Sequence, residues 1–340
     1  MKYGRIIQKD HVKFYEVADN VFAAISPYHG ISWVNAAFIN RGEGLVYDTF
    51  FDLVHAREMM EAFQEVSNGK KPGYVVNSHY NADHTYGNKV FEDSCIIMHK
   101  EAQRESKTEN LAWFDSVIKR GKDAPGMTPG ERFLAEELKG FDLTGVEWVL
   151  PNIEIQDDIN IRLGDTEVKI LSVAPAHSDS DLMLWLPKEK VLFAGDIIFN
   201  GCGAYSEAGV MNWVKVLDRI INELKPEVIV PGHGAICGID FVKEQKDYLL
   251  NLIEEFNKHY DDDIDSLSLT KKMDISRFLH WIQPERIYMS VDVMVKGKRG
   301  LPAIPNWNEI PEKLENMKAF LVEKYGENLP KWDPMSAWAE

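Results

Sequence analysis

The sequence predicts an α/β fold in which two mixed β-sheets stack as a sandwich with helices on the outer faces. Three observations lead there. Strand-like runs and amphipathic helices alternate in two similar halves, each reading strands, helix, strand. The 340 residues, 45% of them apolar, supply a core for one large or two ordinary domains. No repeat, low-complexity tract or Ser/Gly-rich linker divides the chain, so a tethered two-domain layout is not expected. Each half can bury its sheet by stacking on the other, with its helices outside.

The elements follow in order. Residues 21–25 and 34–39 are apolar and strand-like, separated by a Pro27-Tyr28-His29-Gly30 turn, and 45–47 form a third short strand ended by Asp48 and Thr49. Leu53, Ala56, Met59, Met60, Phe63 and Val66 recur at spacings of three and four, marking an amphipathic helix that Ser67, Asn68 and Gly69 close. Residues 74–76 read as a buried strand leading into His79. From 101 to about 140 the strand pattern stops. Leu111, Phe114, Val117 and Ile118 have helical spacing, and a second helical run covers 129–138. This insertion, 101–150, is expected to form a helical lid. Strands return at 159–163 and 167–173 around a Gly164-Asp165 turn, then at 182–186 and 191–194 around Pro187-Lys188-Glu189. A helix with Asn212 as its N-cap carries Trp213, Val216, Leu217, Ile220, Ile221 and Leu224 on one face and stops at Pro226. Residues 228–230 are a strand running into His233, and the last eighty residues, 312–325 included, are mostly helical in pattern. The expected organisation is a sandwich domain over 14–257 with the insertion inside it, and a helical extension over 258–340 packed on it.

Charge excludes some functions. Acidic side chains number 54 against 38 basic ones, a formal net charge of −16. Such a surface repels phosphate backbones and anionic headgroups, so neither nucleic acid nor a membrane is an expected partner. The longest stretch without a charged residue, 20–40, contains Pro27 and Gly30 and cannot be a spanning helix. Residues 1–10 hold no continuous apolar run, and the three cysteines (Cys95, Cys202, Cys237) form no CxxC pair. The expectation is no secretory signal, reduced thiols and a cytoplasmic location.

The chemistry concentrates at strand ends. His79 and His84 follow the strand at 74–76, His177 follows the one at 167–173, and His233 the one at 228–230. Asp83 lies inside His79-Tyr80-Asn81-Ala82-Asp83-His84, and Asp196 follows Leu192-Phe193-Ala194-Gly195. Loops held by a rigid sheet are where ligands and catalysts collect. Imidazole nitrogens with carboxylate oxygens suit zinc, and also iron or manganese. Glycines beside them (Gly87, Gly195, Gly232, Gly234) let the backbone turn sharply.

These motifs resemble the metallo-β-lactamase superfamily, whose pattern is H-x-H-x-D-H, then a His, a bridging Asp and a last His, each after a strand. Order, spacing and strand context agree over roughly residues 14–257. The resemblance implies a four-layer αββα sandwich with metals at the sheet edge. It implies His79 and His177 as ligands of a first metal, Asp83, His84 and His233 of a second, and Asp196 as their bridge. One position departs: Asn81 stands where the pattern has its second histidine. A neutral amide oxygen is a weaker donor than imidazole, so unequal filling is expected, with the second site tight and the first partial.

The implied function is hydrolysis of an ester, lactone, thioester or amide bond of a small molecule. One or two ions, zinc or alternatively iron or manganese, would lower the pKa of a bound water to about 7, with Asp83 as the catalytic residue that orients the water or takes its proton. A β-lactam is not the expected substrate, because no export signal is read. Two other readings stay open: a non-hydrolytic binding or sensing protein with a partly degenerate metal site, and an iron-dependent redox enzyme of the same fold. His29 and Trp33 lie in a turn that resembles the family's flap over the metals. With Trp113 of the insertion they are the candidate substrate-binding residues. Assembly as a homodimer stays open.

Overall fold

The computed structural model describes residues 3–27, 30–105, 110–303, 305–326 and 329–330. The described residues contain two sheets. The first has eight strands in chain order: β1 (Ile6–Gln8), β2 (Lys13–Ala18), β3 (Val21–Ile25), β4 (Ala36–Ile39), β5 (Leu45–Tyr47), β6 (Tyr74–Val76), β7 (Cys95–His99) and β8 (Ile153–Ile155). They pair antiparallel up to β5 and parallel from β5 to β8. The second comprises β9 (Ile159–Leu163), β10 (Thr166–Ser172), β11 (Leu182–Leu186), β12 (Val191–Phe199) and β13 (Val228–His233), antiparallel except for the parallel β12–β13 pair.

Strand periodicity divides the core. On β3, Val21, Ala23 and Ile25 join Tyr47, Val76 and Ile97 against Val168, Ile170, Leu184 and Phe193 of the other sheet. Their alternates, Phe22 and Ala24, face outward with Phe38, Val46 and Val75 onto Ala56, Met59, Ala62 and Phe63 of helix α1 (Leu53–Ser67). Both faces are covered, which is why these strands read as unbroken apolar runs. The outer face of the second sheet, with Leu171, Met183, Trp185 and Leu192, packs on two later helices through Trp213, Leu217, Leu249 and Phe256. The layers are therefore helix, sheet, sheet, helix.

Asp52 caps α1, accepting from the Val54 and His55 N–H groups at 3.0 and 2.9 Å, from His55 Nδ1 at 2.7 Å and from the Asp142 N–H at 3.2 Å. Burial opposes the charge, but these bonds outweigh it and hold the carboxyl below its usual pKa. The stabilisation is present above the unfolded pKa near ~4 and is lost as pH falls through the lower folded value. Asp52→Ala is expected to cost roughly 2–4 kcal/mol at neutral pH, and denaturant unfolding should show the difference from wild type shrinking on acidification.

Short helix α2 (Ala82–Thr85) carries Asp83 and His84. The insertion holds α3 (Ala102–Glu105), α4 (Leu111–Arg120) and α5 (Pro129–Glu137), the last opened by a capping box between Thr128 and Glu131. Helix α6 (Val210–Arg219) begins at Gly209, not at Asn212, whose side chain instead donates to the Val173 and Pro175 carbonyls. One π turn, Ile220–Leu224, prolongs it before Lys225 adopts the left-handed conformation ahead of Pro226. Helix α7 (Ile239–His259) runs through the expected boundary at 257/258. Helices α8 (Ser266–Lys272), α9 (Ile287–Lys298) and α10 (Ile310–Tyr325) follow, and α10 packs on α5 of the insertion. Among the described residues, no helix is long and apolar enough to cross a membrane.

Candidate metal centre

Loops at one end of the sandwich bring the strand-end residues together. Asp48, with φ of 60° at the end of β5, accepts the Ser78 N–H through Oδ1 at 2.7 Å and the His84 Nδ1–H through Oδ2 at 2.8 Å. The His84 carbonyl accepts from the Thr49 N–H and the Asn77 amide, and Asn77 exchanges bonds with Asn88. The 77–88 loop is thus pinned on both sides. Asp181 shapes the loop after β10 by accepting the Ala176 and Ser178 N–H groups and the Ser178 hydroxyl.

Every imidazole Nδ1 has an outer partner, and every Nε2 faces inward. His79 meets the Ser78 hydroxyl at 2.8 Å, His84 meets Asp48, His177 meets the Tyr205 carbonyl at 2.8 Å, and His233 meets the Trp33 carbonyl at 3.1 Å. Asp196 is the common neighbour of the inner nitrogens. Its Oδ1 is 3.2 Å from His84 Nε2, and its Oδ2 is 3.3 Å from His233, 3.6 Å from His177 and 3.9 Å from His79. Asp83 lies 3.9 Å from His84 and 3.8 Å from His233. The Asn81 amide oxygen sits 2.6 Å from His79 Nε2 and 2.9 Å from His177 Nε2. Among the described residues, two sets offer atoms within 4.8 Å of one another: His79, His84 and Asp196, and Asp83, His84 and His233. His84 belongs to both.

This donor set fits a cation. Carbonyl and carboxylate oxygens only accept, so His177, His233 and His84 spend their Nδ1 protons outward, which leaves Nε2 as the atom that meets two carboxylates and an amide oxygen. His84 Nε2 and Asp196 Oδ1 are buried and face each other without a hydrogen bond of good geometry. Burial opposes a charge on His84, yet Asp196, Asp48 and Asp83 hold its pKa well above the ordinary value. Burial pushes His177 down to about 4, so it is a neutral donor. Asp196 stays ionised despite burial because His233 and His84 flank it. Nitrogen and oxygen donors in this mixture suit zinc.

Beside the cluster opens a narrow, mostly apolar cleft. Ile31, Phe51, Phe114, Leu134, Leu138 and Trp307 line it together with Asn81 and Asp83. Of the candidate substrate-binding residues, His29 lies outside the described residues. Trp33 is buried with its ring on Phe141 and His55, and it serves the site through its carbonyl. Trp113 is half-buried on α4, and its neighbour Phe114 supplies the cleft wall. Sequence reasoning missed four supporting groups: Asp48 as a partner of His84, Ser78, the Tyr205 carbonyl, and Glu207. Glu207 is buried, accepts from the Tyr80 hydroxyl, and has its pKa raised to about 7 by burial. Its sequence signal is isolation, since it is the sole charged residue between Asp196 and Lys215.

Comparison with known proteins yields a family match, relatives and a likeness of fold. The family described as the metallo-beta-lactamase superfamily matches residues 33–233. The acyl-coenzyme A thioesterase MBLAC2 of Homo sapiens is 26% identical over 178 residues, 50% of this chain and 59% of that protein. Its Bos taurus counterpart is 29% identical over 181 residues, with the same shares covered. The metallo-beta-lactamase type 2 of Bacteroides fragilis is 25% identical over 114 residues, 32% of this chain and 46% of that one. The chain thus spans about half the length of these curated relatives. A crystal structure of DIM-1 metallo-beta-lactamase exposed to ceftazidime superposes with a TM-score of 0.51 at 16% identity, over 72% of this chain and 99% of that chain, a likeness of fold.

Proposed function

The chain belongs to the metallo-beta-lactamase superfamily, and from that premise we propose that it is a metal-dependent hydrolase of an ester or thioester whose acyl arm is apolar. The observation that carries this reading is the apolar cleft that shares Asn81 and Asp83 with the metal cluster. The thioesterase name of two relatives adds weight to acyl substrates. His79, Asn81 and His177 would hold one ion and Asp83, His84 and His233 the other, with Asp196 between them. Zinc in these positions would supply Lewis acidity and lower the pKa of a coordinated water to about 7. Asp83 touches both the cluster and the cleft, so it is the residue placed to orient the attacking water and hold its proton at a carboxylate oxygen. Phe51, Phe114, Leu134 and Leu138 hold the acyl arm and keep bulk water from it. The 101–150 insertion, which supplies the last three of these, acts as the lid.

Each methylene buried in such a cleft contributes about 0.8 kcal/mol, or about fourfold in kcat/KM. The test is a panel of esters, thioesters, lactones and amides of graded acyl length, assayed on protein of measured metal content. The expected result is turnover that rises with acyl length to a limit, is removed by a chelator and is restored by zinc. Ile31→Trp, which narrows the cleft from a half-buried position, should lower kcat/KM for the longest arms at least about tenfold relative to acetyl. Metal-loaded protein that turns over nothing in the panel refutes the reading.

A further inference from the structure

We propose that Glu207 is a positioning residue that sets the Asn81 amide with its oxygen, and not its nitrogen, toward the imidazoles of His79 and His177. The proposal rests on the metal-hydrolase reading, because only an oxygen at that place can serve as a ligand.

A carboxamide has two ends of nearly equal shape, so its orientation is decided by what each end meets. On the inner side the two imidazoles do not agree: His79 Nε2, 2.6 Å from the amide oxygen, can donate to it when the Ser78 hydroxyl serves its Nδ1, and His177 cannot. His177 commits its Nδ1 proton to the Tyr205 carbonyl, which leaves a lone pair on Nε2. That lone pair, 2.9 Å from the Asn81 oxygen, would be served at least as well by an amide N–H. The decision falls to the outer end. There Asn81 Nδ2 lies 3.5 Å from Glu207 Oε2, and the Tyr80 hydroxyl donates to the same oxygen. With that donor in place Oε2 is an acceptor toward Asn81 when the carboxyl is ionised and when its proton sits on Oε1. A flipped amide would set oxygen against oxygen in a buried pocket, a costly contact.

Glu207 cannot easily turn aside. It is 4% exposed, and its N–H donates to the His177 carbonyl at 2.6 Å. Next to it, Ser206 is held by an N–H bond to the Ser290 hydroxyl at 2.8 Å and by its own hydroxyl on the Ala176 carbonyl at 2.6 Å. Asn81 is equally fixed, its carbonyl accepting from the His84 N–H and the Thr85 hydroxyl. One short segment therefore serves two ligands: the Tyr205 carbonyl selects the His177 tautomer, and Glu207 selects the amide orientation. This is what a neutral, reversible ligand needs and an imidazole at the same position would not.

The test is zinc titration against a chromophoric chelator, reading both equivalents, on wild type, Glu207→Met, Asn81→His and the double variant. Losing an outer partner of a ligand typically costs ten- to hundredfold in metal affinity. Glu207→Met should weaken the weaker equivalent by about that factor and spare the stronger one. In the Asn81→His background the same substitution should change the weaker equivalent less than about threefold, because a histidine has no amide to orient. Glu207→Gln, which keeps an acceptor oxygen, should restore most of the affinity, and Glu207→Ala replaces the Met variant if that one does not fold. An unchanged weaker equivalent, or an equal loss in both backgrounds, overturns the proposal. Wild type that binds a single zinc also overturns it, and persistent hydrolysis by that one-zinc protein would leave the hydrolase reading standing.

Discussion

His84→Ala is expected to lower turnover of any hydrolysed acyl substrate at least about a hundredfold, some 3 kcal/mol of barrier. His84 is the residue shared by both candidate ligand sets, fully buried and 3.2 Å from the carboxylate that faces all four histidines. Its ring lies 4.3 Å from that of His79 and 5.9 Å from that of His233, so its loss opens the middle of the cluster. The backbone path should survive, because the Thr49 and Asn77 bonds reach the His84 carbonyl and not its side chain. Removal of the ring also takes from Asp48 its charged partner and leaves it the Ser78 N–H, and a buried carboxylate deprived of a cation destabilises the fold by roughly 3–5 kcal/mol. Asp83→Ala separates the two effects. It leaves the Asp48 pair intact and should abolish turnover with little change in unfolding. Turnover at the wild-type rate in both variants would refute the mechanism. Metal content measured alongside should fall in each.

How much of this was legible in the sequence depends on the range of the interaction. Helix α1 declares itself through six apolar residues at spacings of three and four and through Asn68, whose left-handed backbone closes it. The histidines and aspartates were readable because each ends or follows an apolar strand. Strands β1 and β2 carry mixed polar and apolar residues, with β1 lying at the sheet edge, and gave no clear run. Asn212 has the chemistry of an N-cap, but the Val173 and Pro175 carbonyls claim its amide, so the helix begins one turn earlier at Gly209. Strand β12 extends to Phe199 because its pairing with β13 shifts register on either side of Gly195, a tertiary effect with no local signature. The outer partners of the histidines come from positions as distant as 28 residues for Tyr205 and 200 for Trp33. Two of the four are backbone carbonyls, which any residue supplies. Periodicity and motif spacing cannot see them.

Gly232→Ala should be nearly as damaging as loss of a ligand, although Gly232 coordinates nothing. A Cβ at this position would sit 2.0 Å from Asp196 Oδ1, 2.7 Å from the Gly195 carbonyl carbon and 2.9 Å from the Asp196 nitrogen. The side chain is the softer of these obstacles, so the Asp196 carboxylate must move. Backbone relief on the other side is blocked, since the Asn35 N–H donates to the Gly232 carbonyl at 2.7 Å and the Asn35 amide clamps Pro231 and Gly234. Among the described residues Asp196 is the only carboxylate within 4 Å of all four imidazoles, so displacing it weakens both halves of the cluster together. Zinc affinity is expected to drop at least about tenfold for each equivalent, and turnover at least about a hundredfold. Gly238→Ala is the matched control: its added Cβ meets nothing within 4 Å, its φ of −118° suits any residue, and metal content and turnover should stay within about twofold of wild type. If Gly232→Ala retains both zinc equivalents and full turnover, the bridging place assigned to Asp196 is wrong. If Gly238→Ala fails as badly, the damage comes from the β13–α7 connection and not from the carboxylate.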